Sequence, residues 1–397
     1  MIRQVIQQVL GSPPVQLISD RDSNVLTLSM RGISNLAANC LQYELEDVFC
    51  EVTGAARIQP IRLELVEFER RIYKLLHAAT SASTAKRLSP QLGGLRLDRT
   101  YDLFLPMFND PYELHALALI PNWRRHCRYA ACVIAEAWEG SLPEYLLNSL
   151  AEFDRIYLSA NPVESIARMT GRPCSYLPLS VDTLRFSPFP NPPARSIDVL
   201  GIGRRSSVTH GALLEMAKRR GSFYYFDTIR MTSGVADGGR QLTFSVIDPA
   251  EHRFKLASML KRSRYFLASR ARANDAKLAQ VDEISGRFFE GAAAGAIMIG
   301  EPPRSGPYLS LFDWPDAVIS APFDDPNIEQ LIQQLDADPE RCARIRRTNI
   351  VNALLRHDSV YRLRTILEDA HMELPTGLLA RESRLRELAA IVQNYAM

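Results

Sequence analysis

The stretch Val281-Asp-Glu-Ile-Ser-Gly-Arg-Phe-Phe-Glu-Gly-Ala-Ala-Ala-Gly-Ala-Ile-Met-Ile-Gly300 decides the fold. Ser285 has the short hydroxyl side chain of a helix N-cap. Gly286 opens the helix and lets a ligand approach the backbone. The free N–H groups of that first turn, with the helix dipole, make an anion site. Arg287 stands in the same turn and adds a charge-assisted donor for phosphate. Glu290 follows one turn later, a carboxylate able to accept two adjacent hydroxyls such as those of a ribose. The small residues Gly291–Gly295 let the helix lie close on a sheet, and Ala296–Gly300 reads as the next strand.

Upstream, Asp198-Val-Leu-Gly-Ile-Gly-Arg-Arg-Ser-Ser207 is a strand running into Gly-x-Gly-Arg-Arg and then a helix. Glycine at Gly203 admits a diphosphate, and Arg204 or Arg205 is placed to clamp it. The full GxGxxG fingerprint is missing and no acidic residue closes a strand at the expected distance, which disfavours a nicotinamide enzyme.

Working outward, the same alternation recurs in both directions. Strands are expected at Asn24–Met30, Asp102–Met107, Ala130–Ala135, Arg155–Ser159 and Cys174–Leu177. Further strands are expected at Ile197–Ile202, Phe223–Phe226, Tyr265–Ala268, Ala296–Gly300 and Ala317–Ser320. Helical patterns lie near 34–50, 64–79, 143–152 and 162–171, and then near 208–220, 251–263, 286–294, 326–336 and 339–355. Continuous apolar strands between amphipathic helices imply parallel sheets covered on both faces. Pro188, Pro190, Pro192 and Pro193 interrupt any helix or central strand and mark a linker at 186–196. The expectation is therefore an α/β protein of two doubly wound, Rossmann-like domains facing a cleft, at 1–190 and 195–356. Helices at 357–397 either cap the second domain or pack back across both.

Composition excludes several classes. Of 397 residues, 46% are hydrophobic and 23% charged, the balance of a folded globular chain. Net charge is +2, with no basic–aromatic array, so no nucleic-acid partner is expected. The 47 basic residues include only six lysines, and arginine suits bidentate contacts to phosphate. No apolar window is long enough to span a membrane, and the first residues make a poor signal peptide. Cys40, Cys50, Cys127, Cys132, Cys174 and Cys342 form no CxxC and no zinc spacing, so reduced thiols, no metal and a cytoplasmic setting are expected.

With these residues in view, 281–300 resembles the signature of GT-B glycosyltransferases of the group 1, GT4-like type. There, two acidic residues separated by seven others flank a loop and a small-residue helix; here the pair is Asp282 and Glu290. Leu177-Pro-Leu-Ser-Val-Asp-Thr-Leu-Arg-Phe-Ser-Pro188 resembles the segment leaving the first domain of such enzymes. Asp338-Pro-Glu-Arg341, Ile345-Arg-Arg347 and Arg356-His-Asp-Ser-Val-Tyr-Arg-Leu363 resemble their closing helices. This chain departs from the pattern with Asp282 where Glu is usual, Glu283 beside it, and Ser180 where Gly is common. The glycine-rich acceptor loop is not recognisable.

The resemblance implies sugar transfer from a nucleotide diphosphate sugar to an acceptor hydroxyl, with retention and without metal or other cofactor. Glu290 would hold the ribose. Gly203, Arg204, Arg205, Ser285, Gly286 and Arg287 would hold the diphosphate, and Asp282 or Glu283 would face the donor sugar. The first domain would take the acceptor, of unassigned chemistry, and the second the donor. A sugar-nucleotide epimerase or hydrolase would use the same fold; a non-catalytic nucleotide-sugar-binding subunit would use the same site.

Other residues have ordinary readings beside functional ones. Glu290 has the spacing to pair with Arg287 on a solvated face. His115 follows a strand end where a base would serve, but a helix surface is its default. His210 and His252 read as structural, and Trp123, Trp138 and Trp314 as core. The basic run Trp123-Arg-Arg-His-Cys-Arg128 is a solvated face by default and a peripheral contact for anionic lipid or acceptor otherwise. Tyr224, Tyr225 and Asp227 end a strand where a nucleobase would fit, and Asp324-Asp325 reads as a helix start.

Overall fold

The computed structural model describes residues 15–18, 23–33, 36–60, 71–72, 75–76, 79–80, 84, 95–137, 142–160, 162–227, 235–236, 239–240, 246–273 and 282–395. The helix expected near 64–79 falls largely outside the described residues, as does Trp138. Two compact units emerge. Unit 1 takes the described residues of Met1–Asn35, Glu46–Pro178 and Ile366–Gly377; unit 2 takes those of Leu36–Leu45, Leu179–Thr365 and Leu378–Met397.

In unit 1 the strands Val15–Ile18 (β1), Val25–Leu28 (β2), Ala56–Pro60 (β3), Tyr101–Phe104 (β4), Met107–Phe108 (β5), Cys127–Ile134 (β6), Arg155–Leu158 (β7) and Cys174–Tyr176 (β8) share one sheet. Its order is β1-β3-β2-β4-β6-β7-β8, with β5 also on β6. Only β1, on β3, is antiparallel. Every residue of β2 is buried, as a strand covered on both faces requires. Helix Cys40–Thr53 (α1), whose residues as far as Leu45 belong to unit 2, and helices Glu144–Leu150 (α2) and Val163–Thr170 (α3) lie between strands in the sequence. The sequence reading foresees neither β1 nor β3. In β3, Arg57 and Gln59 alternate with buried Ala56, Ile58 and Pro60, so the strand lacks a continuous apolar run. Glu46 and Asp47 neutralise Arg57 at 2.9 and 3.0 Å. Trp123 is core, its ring 5.0 Å from those of both Phe104 and Phe153. Within the basic run, Arg124 is tied to Asp154 at 2.8 Å and Arg128 to Asp102 at 2.7 Å.

Unit 2 is built on Ile197–Gly201 (β9), Tyr224–Phe226 (β10), Ser263–Leu267 (β13), Ile297–Gly300 (β14) and Ile319–Ser320 (β15). All pairings are parallel, in the order β10-β9-β13-β14-β15. The short strands 235–236 (β11) and 239–240 (β12) pair separately. Strand residues alternate between two cores. Leu200, Phe266 and Met298 pack with helices Pro249–Lys261 (α6) and Gly286–Ala294 (α7), which follow Thr183–Phe186 (α4) and Ser207–Arg220 (α5). Val199, Tyr265 and Ile297 pack with α5 and with Ile328–Asp336 (α9) and Pro339–Asn352 (α10), which follow Gly306–Leu311 (α8). The small stretch of α7 has a steric reason: a Cβ at Gly291 would lie 2.6 Å from Met298 Sδ. Helices Ser359–Asp369 (α11) and Thr376–Asn394 (α12) form the tail. Both units are doubly wound, as expected.

The linker end of unit 2 is fastened by buried charge. Arg381 donates through Nε to Asp358 Oδ1 at 2.8 Å and through Nη2 to Asp182 Oδ1 at 2.5 Å. Thr183 donates its N–H and Oγ1 to Asp358 Oδ2 at 2.9 and 2.7 Å. Beside this cluster His357 is fully buried among Phe289, Phe312 and Trp314, with ring centroids 5.1, 4.9 and 5.8 Å away.

Candidate functional site

The order in which strands are added reverses at β9: the connection after β9 runs to β10 on one side, whereas β13, β14 and β15 follow on the other. Such a switch leaves a crevice at the carboxyl ends of the strands. A cleft occupies it, lined by Arg204, Arg205, His210, Tyr224, Ser269 and Arg287 among others.

Gly203 lies two residues past the end of β9 with φ +77°, a conformation that favours glycine. Its N–H donates to both carboxylate oxygens of Asp227, at 3.1 and 3.0 Å. Arg205 is locked to the same residue: Nη1 reaches Asp227 Oδ1 at 2.6 Å and Nη2 its carbonyl at 2.7 Å. Asp227 thus shapes the glycine turn and aims Arg205. Arg204 is exposed. Across the cleft, Arg287 comes from α7, where the Ser285 hydroxyl accepts its backbone N–H at 3.4 Å. The Arg287 guanidinium lies where a Cβ on Gly203 would be. Burial pushes it below the usual arginine range and Arg204 adds to this, against the opposing charges of Glu290 and Asp227. A desolvated cation of this kind gains most from an anionic ligand.

His210 and Tyr224, which sequence reasoning left at the margin, form one wall. His210 Nδ1 lies 2.9 Å from Tyr224 Oη, and the His210 ring meets Phe226 edge-on at 4.8 Å. Burial and then Arg205 lower the His210 pKa, and burial raises that of Tyr224 to about 12. The strand-end aromatics were the available signal, and His210 lies one turn into the helix after Gly203.

The cleft brings together Arg204, Arg205 and Arg287 beside Gly203, while Asp282, Glu283, Ser285, Gly286 and Glu290 do not line it. Asp282 accepts the Arg304 N–H at 2.7 Å, and Glu283 is buried. A Cβ on Gly286 would meet Leu41 Cδ2 at 2.8 Å, so packing within the protein explains that glycine. Glu290 is buried and paired with Arg253 of α6. Sequence reasoning gave no signal for that pairing. Asp324 accepts the Ser206 hydroxyl, and Asp325 Oδ1 accepts Asn327 N–H at 2.8 Å just before α9. Among the described residues no group of three His, Cys, Asp or Glu side chains is placed to hold a metal ion, and no helix is long and apolar enough to cross a membrane.

Residues 241–368 match the model of a family described as Glycosyl transferase-like. Over that span the chain is similar to that family. The match covers α6 to α11, including β13, α7 and β14. No curated protein matches the sequence. Among solved structures, S. aureus TarM in complex with Fondaparinux, alpha-GlcNAc-glycerol and UDP is 10% identical, with a TM-score of 0.42 over 67% of this chain and 55% of that one. A candidate UDP-N-acetylglucosamine 2-epimerase from Listeria monocytogenes is 10% identical, with a TM-score of 0.43 over 88% and 98%. E. coli heptosyltransferase WaaC with ADP-2-deoxy-2-fluoro heptose is 12% identical, with a TM-score of 0.31 over 78% and 99%. The chain spans about half the length of the TarM structures it matches.

Proposed function

We propose that this glycosyltransferase-like protein transfers a sugar, a hexose by type, from a nucleotide diphosphate donor to an acceptor hydroxyl, with retention and without a metal ion. One observation carries the reading: three arginines, Arg204, Arg205 and Arg287, meet at one cleft at the carboxyl ends of parallel strands. A diphosphate in that cleft takes its countercharge from guanidinium groups. As the bond from the anomeric carbon to the diphosphate oxygen breaks, its electron pair leaves with the phosphate, and fixed cations stabilise that growing charge more than the ground state. The acceptor oxygen bonds to the anomeric carbon and its proton passes to a base. The His210–Tyr224 wall accommodates the nucleobase, Glu290 the ribose, and Asp282 or Glu283 the donor sugar. Unit 2 takes the donor and unit 1 the acceptor.

A thermal-shift panel of UDP, ADP, GDP and their sugars tests the donor half. One nucleotide is expected to raise the melting temperature; a ligand at 100 times its Kd stabilises by about 2.7 kcal/mol. No shift with any member overturns the reading. Free sugar or an epimer formed without acceptor would replace transfer by hydrolysis or epimerisation, and tight binding with no turnover would leave a binding subunit.

A further inference from the structure

Inside unit 2, Glu44, Arg253 and Glu290 form a row of buried charge, 1%, 3% and 7% exposed. Glu44 belongs to Leu36–Leu45, far from the others in sequence but part of the same unit. Arg253 donates to it in a fork, Nε to Oε2 at 2.9 Å and Nη2 to Oε1 at 3.1 Å. Glu44 Oε1 also accepts the Asp182 N–H at 2.8 Å, which fixes the carboxylate. The Phe186 ring covers the guanidinium 4.6 Å from its centroid. Only Nη1 remains for Glu290, and it donates to Oε1. Glu290 Oε2 takes no hydrogen bond from a described residue.

An arginine facing a single carboxylate normally grips both oxygens. Here Glu44 takes the fork, so Glu290 is held by one oxygen alone. Two carboxylates share the Arg253 guanidinium, with Arg185 a further 4.0 Å from Glu44, and the Glu290 oxygen left outside the fork is the one open to hydroxyl donors. We propose that Glu44, acting through Arg253, positions Glu290 to accept the ribose diol of the nucleotide. This rests on the donor-site reading above; Glu44 and Arg253 are positioning residues and touch no ligand.

The test compares calorimetric affinity for UDP, ADP and GDP with that for their 2′,3′-dideoxy counterparts. The wild type is expected to prefer the diol by about tenfold, equivalent to about 1.4 kcal/mol. In Glu44→Gln the preference is expected to shrink to about threefold or less, with dideoxy affinity unchanged, a ratio that loss of packing alone would not move. Arg253→Lys, which keeps the charge but cannot fork, is expected to do the same and serves if Glu44→Gln fails to fold. Wild-type preference retained in either folded variant overturns the positioning role alone. A wild type that binds no nucleotide, or binds both forms equally, overturns the ribose reading and this inference with it.

Discussion

The Arg287 guanidinium rests against Gly203, in the space any side chain there would need. Gly203→Ala therefore combines a backbone penalty of about 1 kcal/mol with displacement of the arginine. The expected result is a modest fall in melting temperature and at least about tenfold weaker nucleoside diphosphate binding by calorimetry. Unchanged affinity would detach Gly203 and Arg287 from the diphosphate.

Glu290→Ala is expected to weaken nucleoside diphosphate binding by about tenfold, the loss of one charge-assisted hydrogen bond to the sugar. Arg253 keeps Glu44, so the folded state survives. Equal affinities in calorimetry would remove Glu290 from the site.

Sugar transfer is expected to persist in excess chelator, because Arg204, Arg205 and Arg287 supply the countercharge within the chain. Activity lost on chelation and restored by a divalent ion would contradict this.

His357 predicts an acid-side loss of stability. Burial, then Arg362 and Arg356, hold its pKa well below the ordinary 6.5. The unfolded chain therefore takes up a proton that the folded ring refuses. This contribution is intact above about pH 6.5 and falls as pH drops below it, by about 1.4 kcal/mol per pH unit until the folded pKa is reached. His357→Leu is expected to flatten that part of the curve in denaturant titrations between pH 7 and 5. A slope equal to that of the wild type would exclude His357 as its source.

Arg381→Met would leave Asp182 and Asp358 buried without their shared cation. A loss of about 3–5 kcal/mol is expected. A loss under about 1 kcal/mol in urea unfolding would show that water or a rearranged partner replaces the arginine.

What the sequence made legible followed from local pattern. The helix expected at 286–294 forms over those residues, and β9, β10, β13, β14 and β15 each fall where a continuous apolar run placed a strand. Burial on both faces writes itself most fully into β14, all four of whose residues are buried. The juxtaposition of Gly203, Arg205 and Arg287 was likewise readable, because strand ends in a parallel sheet converge at one edge. Glu44 was not. Its bond to Arg253 joins residues 209 apart in sequence, and no local periodicity encodes so distant a contact. Helical spacing offered Arg287 as the ordinary partner of Glu290, whereas a guanidinium from α6 takes the carboxylate.

Because unit 2 draws on three separate pieces of chain, dissection at the proline-rich junction does not release it whole. A fragment beginning at Ile197 would lack Glu44, leaving Arg253 with a single acidic partner, and would lack Asp182 opposite Arg381. Excising this half for ligand work thus calls for supplying Leu36–Leu45 in trans or splicing it by circular permutation, and proteolytic nicking between the halves should leave the pieces associated.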